Sequence, residues 1–160
     1  MISYSSNSVD TITLKERLLI ACRQYVDSRI DTSKQSMAYA QQAANDEEKS
    51  SAGDKYETGR AMMQIERDKA ARQLDEALKL RSILEHLPIH SNMHTVGPGS
   101  LVITATKKIF ISIGIGRLNL DGEDFLVVAP ASPLGKALMG LKQKDRVVFN
   151  NETLVIEEVC

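Results

Sequence analysis

The densest group of chemically useful side chains in the sequence is an acidic cluster between Asp46 and Glu57. It holds five acids and two lysines, a local net charge of −3. The acids considered for function are Asp46, Glu47, Glu48 and Asp54. Carboxylates grouped this closely repel one another, and a divalent cation or a basic partner would relieve the repulsion. The alternative is an ordinary solvated turn, where acids are common because they favour helix N-termini.

Other reactive residue types do not form a recognisable site. His86, His90 and His94 are spaced by four, but Pro88 would interrupt any helix that carried all three, so no metal site is expected there. Two cysteines are too few for a disulfide framework and fit a reducing cytoplasm. No nucleophile has an evident partner base, and we therefore expect that the chain is not an enzyme on its own.

The composition of the 160 residues is typical of a soluble globular protein. Twenty basic and twenty-one acidic side chains give a net charge of −1, which argues against nucleic-acid binding through bulk positive charge. No apolar stretch approaches the roughly 18 residues that a membrane span needs, so no membrane contact is expected. The serine-rich segment 1–12 lacks the regions of a signal peptide and is predicted to be a flexible tail.

Residues 13–87 are predicted to form an antiparallel coiled-coil hairpin. They contain no proline and only two glycines, and Thr13 with Glu16 gives the pattern of a capping box. Apolar and small residues recur every three or four positions in both predicted helices, interrupted in the first by Arg23 and Ser33. The interval near 49–53 is short, so the helices should fold back on each other with the acidic cluster at the tip.

Residues 96–160, after a linker at 88–95, are predicted to form a small α+β domain. Five strands are predicted, at Leu101–Thr106, Ile109–Gly116, Phe125–Ala129, Arg146–Phe149 and Thr153–Val159. Asn150 and Asn151 are expected to make a tight hairpin turn between the last two strands.

One short helix is predicted among these strands. Ser132 is its expected N-cap, Pro133 its first residue and Gly140 its C-cap. The segment Ser132–Gly140 is similar to the pattern S-P-(I/L)-x-x-A-L-x-G, and Lys144–Val148 is similar to a G-D-x-V turn and strand. With the flanking strands, these segments resemble the bacterial Gre family of transcript cleavage and elongation factors. The resemblance implies an N-terminal antiparallel coiled coil followed by a C-terminal domain of FKBP-like fold.

The resemblance also implies a partner, RNA polymerase. Family members dock their globular domain at the rim of the secondary channel and extend the coiled coil inward, so nucleic acid is met only within the transcription complex. No cofactor is expected to bind the chain alone. Acids at the family's tip help to hold a second Mg²⁺ in the polymerase active site, a two-metal arrangement for RNA hydrolysis. Here Asp46, Glu48 and Asp54 are the residues that could share such an ion.

The tip departs from the family pattern, D-L-S-E-N-A-E-Y. With Tyr56 aligned to the tyrosine, Ser51 matches, but the family's aspartate falls on Lys49 and its first glutamate on Ala52. Ser51, Gly53 and Tyr56 are assigned to the structure of the tip. The displaced acids either substitute or leave a channel-binding factor without cleavage activity. We favour the second, because one helical turn moves a carboxylate by about 5 Å.

Docking residues are implied at the start of the short helix. Ser132 and Pro133 match the family positions that help the globular domain to dock, and Lys136 is added to them. A Ser-Pro pair that opens a helix also needs no partner to explain it. The alternative function is a coiled-coil adaptor unrelated to polymerase, whose seam would form a homodimer. Small residues near the turn favour packing within one chain, so we expect a monomer.

Overall fold

A computed structural model of the chain describes the backbone of residues 4–49, 53–91 and 93–160. Side chains are described for residues 10–46, 58–91 and 93–160. Two long helices come first, and a mixed six-stranded sheet with one short helix follows. The fold class predicted from the sequence is therefore confirmed. No helix in the described part of the chain is long and apolar enough to cross a membrane.

The elements follow one another in a simple order. In sequence they are α1 Tyr4–Lys49, α2 Gly53–Glu85, β1 Leu101–Thr104, β2 Lys108–Ile111, β3 Gly116–Leu120, β4 Glu123–Val128, α3 Pro133–Leu138, β5 Arg146–Phe149 and β6 Glu152–Val159.

Helix α1 begins at Tyr4, so the predicted start of the first helix at the capping box of Thr13 is wrong. The flexibility of the segment 1–12 stays a prediction. No proline or glycine lies in this segment to break the helix. Further along, Lys15 and Leu18 are completely buried. The helix therefore passes through the capping-box residues, and among the described side chains its buried part begins at Lys15.

Two compact units make up the chain, and each is described by itself. The first joins the chain up to Arg23 with Ile83–Cys160, and the second is Gln24–Ser82. The predicted linker at 88–95 lies within the first unit, where Ile89 is buried. The predicted domain limits, 13–87 and 96–160, stay a prediction.

The second unit is an antiparallel pair of helical segments. Its buried apolar residues come from both helices: Val26, Ile30, Ala40, Ala70 and Ala77. Asp27, near the start of this part of α1, lies 4.0 Å from Arg81 near the end of α2. Ser33 is buried, although the sequence pattern treats it as an interruption. The seam therefore continues through a residue that is small enough to fit it.

The sheet of the first unit has the strand order β3-β4-β2-β1-β6-β5. Neighbouring strands are antiparallel, except that β2 and β4 run parallel. Leu134 and Leu138 of α3 belong to one apolar core with sheet residues that include Ile109, Leu154 and Ile156. The helix thus covers one face of the sheet, and β5 is left as a terminal strand.

The predicted strand Ile109–Gly116 is wrong as a single element. β2 ends at Ile111, and a separate strand, β3, begins at Gly116 and pairs with β4. Asp121 and Gly122 join β3 to β4 with φ angles of 51° and 86°, the left-handed backbone of a tight hairpin. The predicted turn at Asn150-Asn151 is confirmed, with φ angles of 50° and 63°.

Candidate partner-binding site

Ser132 caps α3 as predicted. Its Oγ accepts a hydrogen bond from the Gly135 N–H at 3.0 Å and donates one to the Ala129 carbonyl at 2.7 Å. Pro133 is the first helical residue, as predicted. The C-cap is Met139 and not Gly140; Gly140 is the next residue and has φ 82°. The Ser132 hydroxyl thus donates its proton and accepts one hydrogen bond within the chain. Its role in docking stays a prediction.

Replacement of Ser132 by alanine is expected to lower the free energy of unfolding by about 1–2 kcal/mol, the usual cost of a lost N-cap. The Gly135 N–H and the Ala129 carbonyl would each lose a partner. Denaturant unfolding followed by circular dichroism measures the change. Ser132→Thr is the control and should lose much less, since it keeps the hydroxyl. Equal losses in the two variants would contradict the capping role.

The basic residues of the C-terminal sheet fall into two groups. Between residues 93 and 160 there are seven lysines and arginines. Three form ion pairs with carboxylates on the sheet: Lys107 with Glu152, Lys108 with Glu123 and Arg117 with Asp124. The other four are exposed and form no ion pair with any described residue: Lys136, Lys142, Lys144 and Arg146. All four lie in one stretch, 136–146, which we call the basic segment.

The ion pairs of the first group are reflected in the titration of their acids. A hydrogen bond from the Arg117 guanidinium holds the pKa of Asp124 below its ordinary value, and Asn119 adds to the effect. A hydrogen bond from Lys107 likewise lowers the pKa of Glu152. These acids are committed to partners inside the sheet. They are therefore poorly placed to neutralise the basic segment.

The only acid within the basic segment is Asp145. Its Oδ2 accepts a hydrogen bond from the backbone N–H of Lys142 at 2.8 Å, which closes the turn before β5. Lys144 lies in this turn with φ 77°, a conformation that lysine seldom adopts. The family pattern has glycine at this position. Glycine would adopt this conformation without strain, so the backbone of the turn does not need the charged side chain of Lys144.

The strands after this turn expose apolar side chains. Val148 on β5 is 69% exposed and Val155 on β6 is 39% exposed. Arg146 pairs with Val155 across the two strands, and alternation places Arg146 and Val148 on the same side of β5. The opposite side carries Val147 and Phe149 into the core. The outer side of the β5–β6 hairpin thus combines a cation with uncovered valines.

Sequence reasoning identified Lys136 but missed Lys142, Lys144 and Arg146. The alternation of basic residues at 142, 144 and 146 was a usable signal, because it precedes and enters a predicted strand. The alternation does not show which cations form ion pairs and which do not. The ion pair of Lys107 with Glu152, for example, joins β6 to the loop before β2 and depends on the whole topology.

The acidic tip is described only in part. Asp46 is exposed on α1. Glu47, Glu48, Gly53, Asp54 and Tyr56 lie within the two helices, but their side chains are outside the described residues, and Ser51 is outside them altogether. Among the side chains that the structure describes, no group of three histidines, cysteines or acids could hold a metal ion. The tip residues and a shared Mg²⁺ stay a prediction.

Comparison with known proteins gives a limited result. No family model matches the chain, and no curated protein matches it either. A solved structure similar to it is the crystal structure of GreA factor homolog 1 (Gfh1) of Thermus thermophilus. The two share 16% sequence identity over 86% of this chain and 93% of that chain, with a TM-score of 0.35. At this identity and score the likeness concerns the fold alone.

Proposed function

We propose that the chain is a Gre-like transcription factor that binds bacterial RNA polymerase at its secondary channel. In this proposal residues 96–160 dock at the rim and the helical hairpin enters the channel. The observation that supports it is the segment 132–148, where the backbone follows the family pattern although Lys144 replaces its glycine. Ser132 caps the helix, Gly140 follows it in a left-handed conformation, and Lys144 is left-handed where the pattern has glycine.

The factor acts in this proposal by occupying the channel rather than by chemistry of its own. Lys49 and Ala52 stand where the family's tip has acids. Mg²⁺ takes several oxygen ligands in strict geometry, and a tip without acids at these two positions lacks two ligands that the family pattern supplies. No step of the proposal therefore depends on a metal ion. An occupied channel would exclude other factors that use the same entrance and so would modulate elongation.

The test is transcript cleavage in a halted, backtracked elongation complex, with labelled RNA, Mg²⁺ and increasing amounts of this protein. The expected result is binding without short cleavage products, together with protection against a known cleavage factor. A variant with Asp46, Glu47, Glu48 and Asp54 changed to alanine should protect in the same way. Short products that disappear in this variant would show that the displaced acids do promote cleavage, and would overturn the occupancy mechanism.

A coiled-coil adaptor is the second function to test, because the hairpin exposes large apolar side chains. In the second unit Tyr39 is 74% exposed, Met62 58% and Ile65 64%. Uncovered apolar residues on a helix are typical of surfaces that pack against another helix. Sedimentation velocity separates the two functions. A monomer that binds polymerase supports the channel factor, whereas a tight dimer that does not bind polymerase supports the adaptor.

A further inference from the structure

We infer that the turn and edge strand formed by Lys142, Lys144, Arg146 and Val148 are a docking surface for a protein partner rich in carboxylates. We call these four residues the basic edge. The inference rests on the proposed function, since under it the partner is RNA polymerase. It is separate from the docking positions at Ser132 and Pro133, because the basic edge lies beyond the end of α3.

The first argument is charge complementarity. The other basic residues of the sheet, Lys107, Lys108 and Arg117, are paired with acids, while the three cations of the basic edge are exposed and make no ion pair with described residues. Asp145, the nearest acid along the chain, is engaged with a backbone N–H, and Glu157 is exposed on the neighbouring strand β6. Three cations against these two acids leave one positive charge in excess. A local excess of positive charge on a chain of net charge −1 favours a negatively charged partner.

The second argument is the backbone at Lys144. A left-handed conformation costs an L-residue such as lysine roughly 1–2 kcal/mol, which glycine would not pay. The Lys144 N–H donates to the Ile156 carbonyl at 2.7 Å, which ties this conformation to β6. The fold therefore needs the turn but not the lysine. A charged side chain held in a strained position fits a role outside the fold.

The third argument distinguishes a protein partner from nucleic acid. Val148 and Val155 are exposed beside Arg146. Glu157 is also exposed and lies two residues after Val155, on the same side of β6. Phosphates would gain little from the valines, whereas apolar side chains of a protein could pack on them. An apolar centre with a charged rim is instead the usual composition of a protein interface. The expected partner surface presents carboxylates around an apolar side chain.

Basic residues on a terminal strand also have a purely protective role in many proteins. Lysines there prevent one sheet edge from pairing with another and so prevent aggregation. This role predicts that loss of the cations would cause self-association and leave partner binding unchanged. The docking role predicts weaker partner binding without self-association, so the same variants distinguish docking from edge protection.

The test is the affinity of core RNA polymerase for the full-length chain and its variants, with each variant's self-association checked by sedimentation. Lys142→Ala and Lys144→Gly each remove one cation and should weaken binding about twofold to fivefold at low salt. Lys142→Glu combined with Arg146→Glu should weaken it about tenfold or more. Val148→Thr, which keeps the branched shape, should weaken it about threefold.

Lys108→Ala is the matched control. It removes the same charge from the same sheet, but Lys108 is paired with Glu123 at 3.1 Å. This variant should bind polymerase as the unaltered chain does. At about 1 M salt, where the Debye length is about 3 Å, the differences among the charge variants should largely disappear, while that of Val148→Thr should remain.

The outcomes are distinct. If the unaltered chain fails to bind polymerase, the proposed function fails and this inference fails with it. If it binds but the double charge reversal binds equally well, the basic edge is not a docking surface and the proposed function stands. Self-association of the variants with unchanged polymerase affinity would assign the cations to edge protection and would also overturn the inference.

Discussion

Replacement of Gly135 by alanine should destabilise the C-terminal sheet domain by about 3–5 kcal/mol, within the range of the most damaging single substitutions. A Cβ at this position would lie 2.1 Å from the Ala129 carbonyl oxygen and 2.9 Å from Ser132 Oγ. The Pro130 carbonyl oxygen would be 3.0 Å away. The Ala129 carbonyl and the Ser132 hydroxyl cannot move away easily, because this carbonyl accepts hydrogen bonds from both the N–H and the hydroxyl of Ser132.

Two other glycines provide controls that separate steric overlap from backbone conformation. Gly140 has φ 82° but no atom within 4 Å of an added Cβ, so Gly140→Ala should cost only about 1–2 kcal/mol of left-handed strain. Gly97 has neither feature, and Gly97→Ala should be nearly neutral. Denaturant unfolding should therefore rank the losses in the order Gly135, Gly140, Gly97. If Gly135→Ala were as stable as Gly97→Ala, the turn would have to relax at little cost.

Gly135 illustrates what the sequence could not reveal. The N-cap, the first-position proline and the glycine after α3 were predictable, because each acts on its own local backbone. The close approach at Gly135 is different, since it depends on the path of Ala129 and Pro130 into the helix. The family pattern leaves this position unspecified. The sequence therefore predicted the helix but not the residue on which its entry depends most.

The errors in the sheet and in α1 have different physical causes. β3 was missed although Asp121-Gly122 is a strong hairpin signal, because an apolar run led the preceding strand to be extended to Gly116. The start of α1 was missed because no proline or glycine in residues 4–12 breaks the helix, which passes through the capping box instead of beginning there. Local patterns predicted the long helices and the Asn150-Asn151 turn, whereas long-range contacts decided the rest.

The candidate binding surface also depends on long-range contacts that local sequence patterns do not show. The basic residues near β5 are visible in the sequence, but the ion pairs that occupy the other cations of the sheet join residues far apart in the chain. Only the strand order shows which cations are left. The acidic tip was the stronger signal in the sequence. Its function stays a prediction, because most of its side chains lie outside the described residues.

Replacement of Lys15 by methionine should raise the free energy of unfolding at neutral pH by about 1–3 kcal/mol. Lys15 is 1% exposed, and its Nζ makes one long hydrogen bond, 3.4 Å, to the Ile89 carbonyl. Burial lowers the pKa of Lys15 below its ordinary value of 10.5, and the nearby Cys160 opposes the shift only in part. Methionine keeps most of the buried volume and removes the cost of burying a charge.

The pH dependence of this gain follows from the direction of the pKa shift. The unfolded chain holds the Lys15 proton more tightly than the folded protein, so the burial cost is fully present below the folded pKa. The cost disappears as the pH rises through the folded pKa towards 10.5. The stability difference between Lys15→Met and the unaltered chain should therefore be largest near neutral pH and should shrink as the pH approaches 10.5.

The buried thiol of Cys22 makes the free energy of unfolding fall as the pH rises, which is opposite to the effect of Lys15. The measurement must therefore be the difference in stability between Lys15→Met and the unaltered chain. Burial raises the pKa of Cys22 from 9.0 to about 11, so its contribution is present below pH 9 and is lost above it. Cys22 is unchanged in both proteins, and its effect cancels. The control Lys15→Ala leaves a cavity and should lose about 1–3 kcal/mol. If Lys15→Met also lost stability, the bond to the Ile89 carbonyl would be worth more than the burial of the ammonium costs.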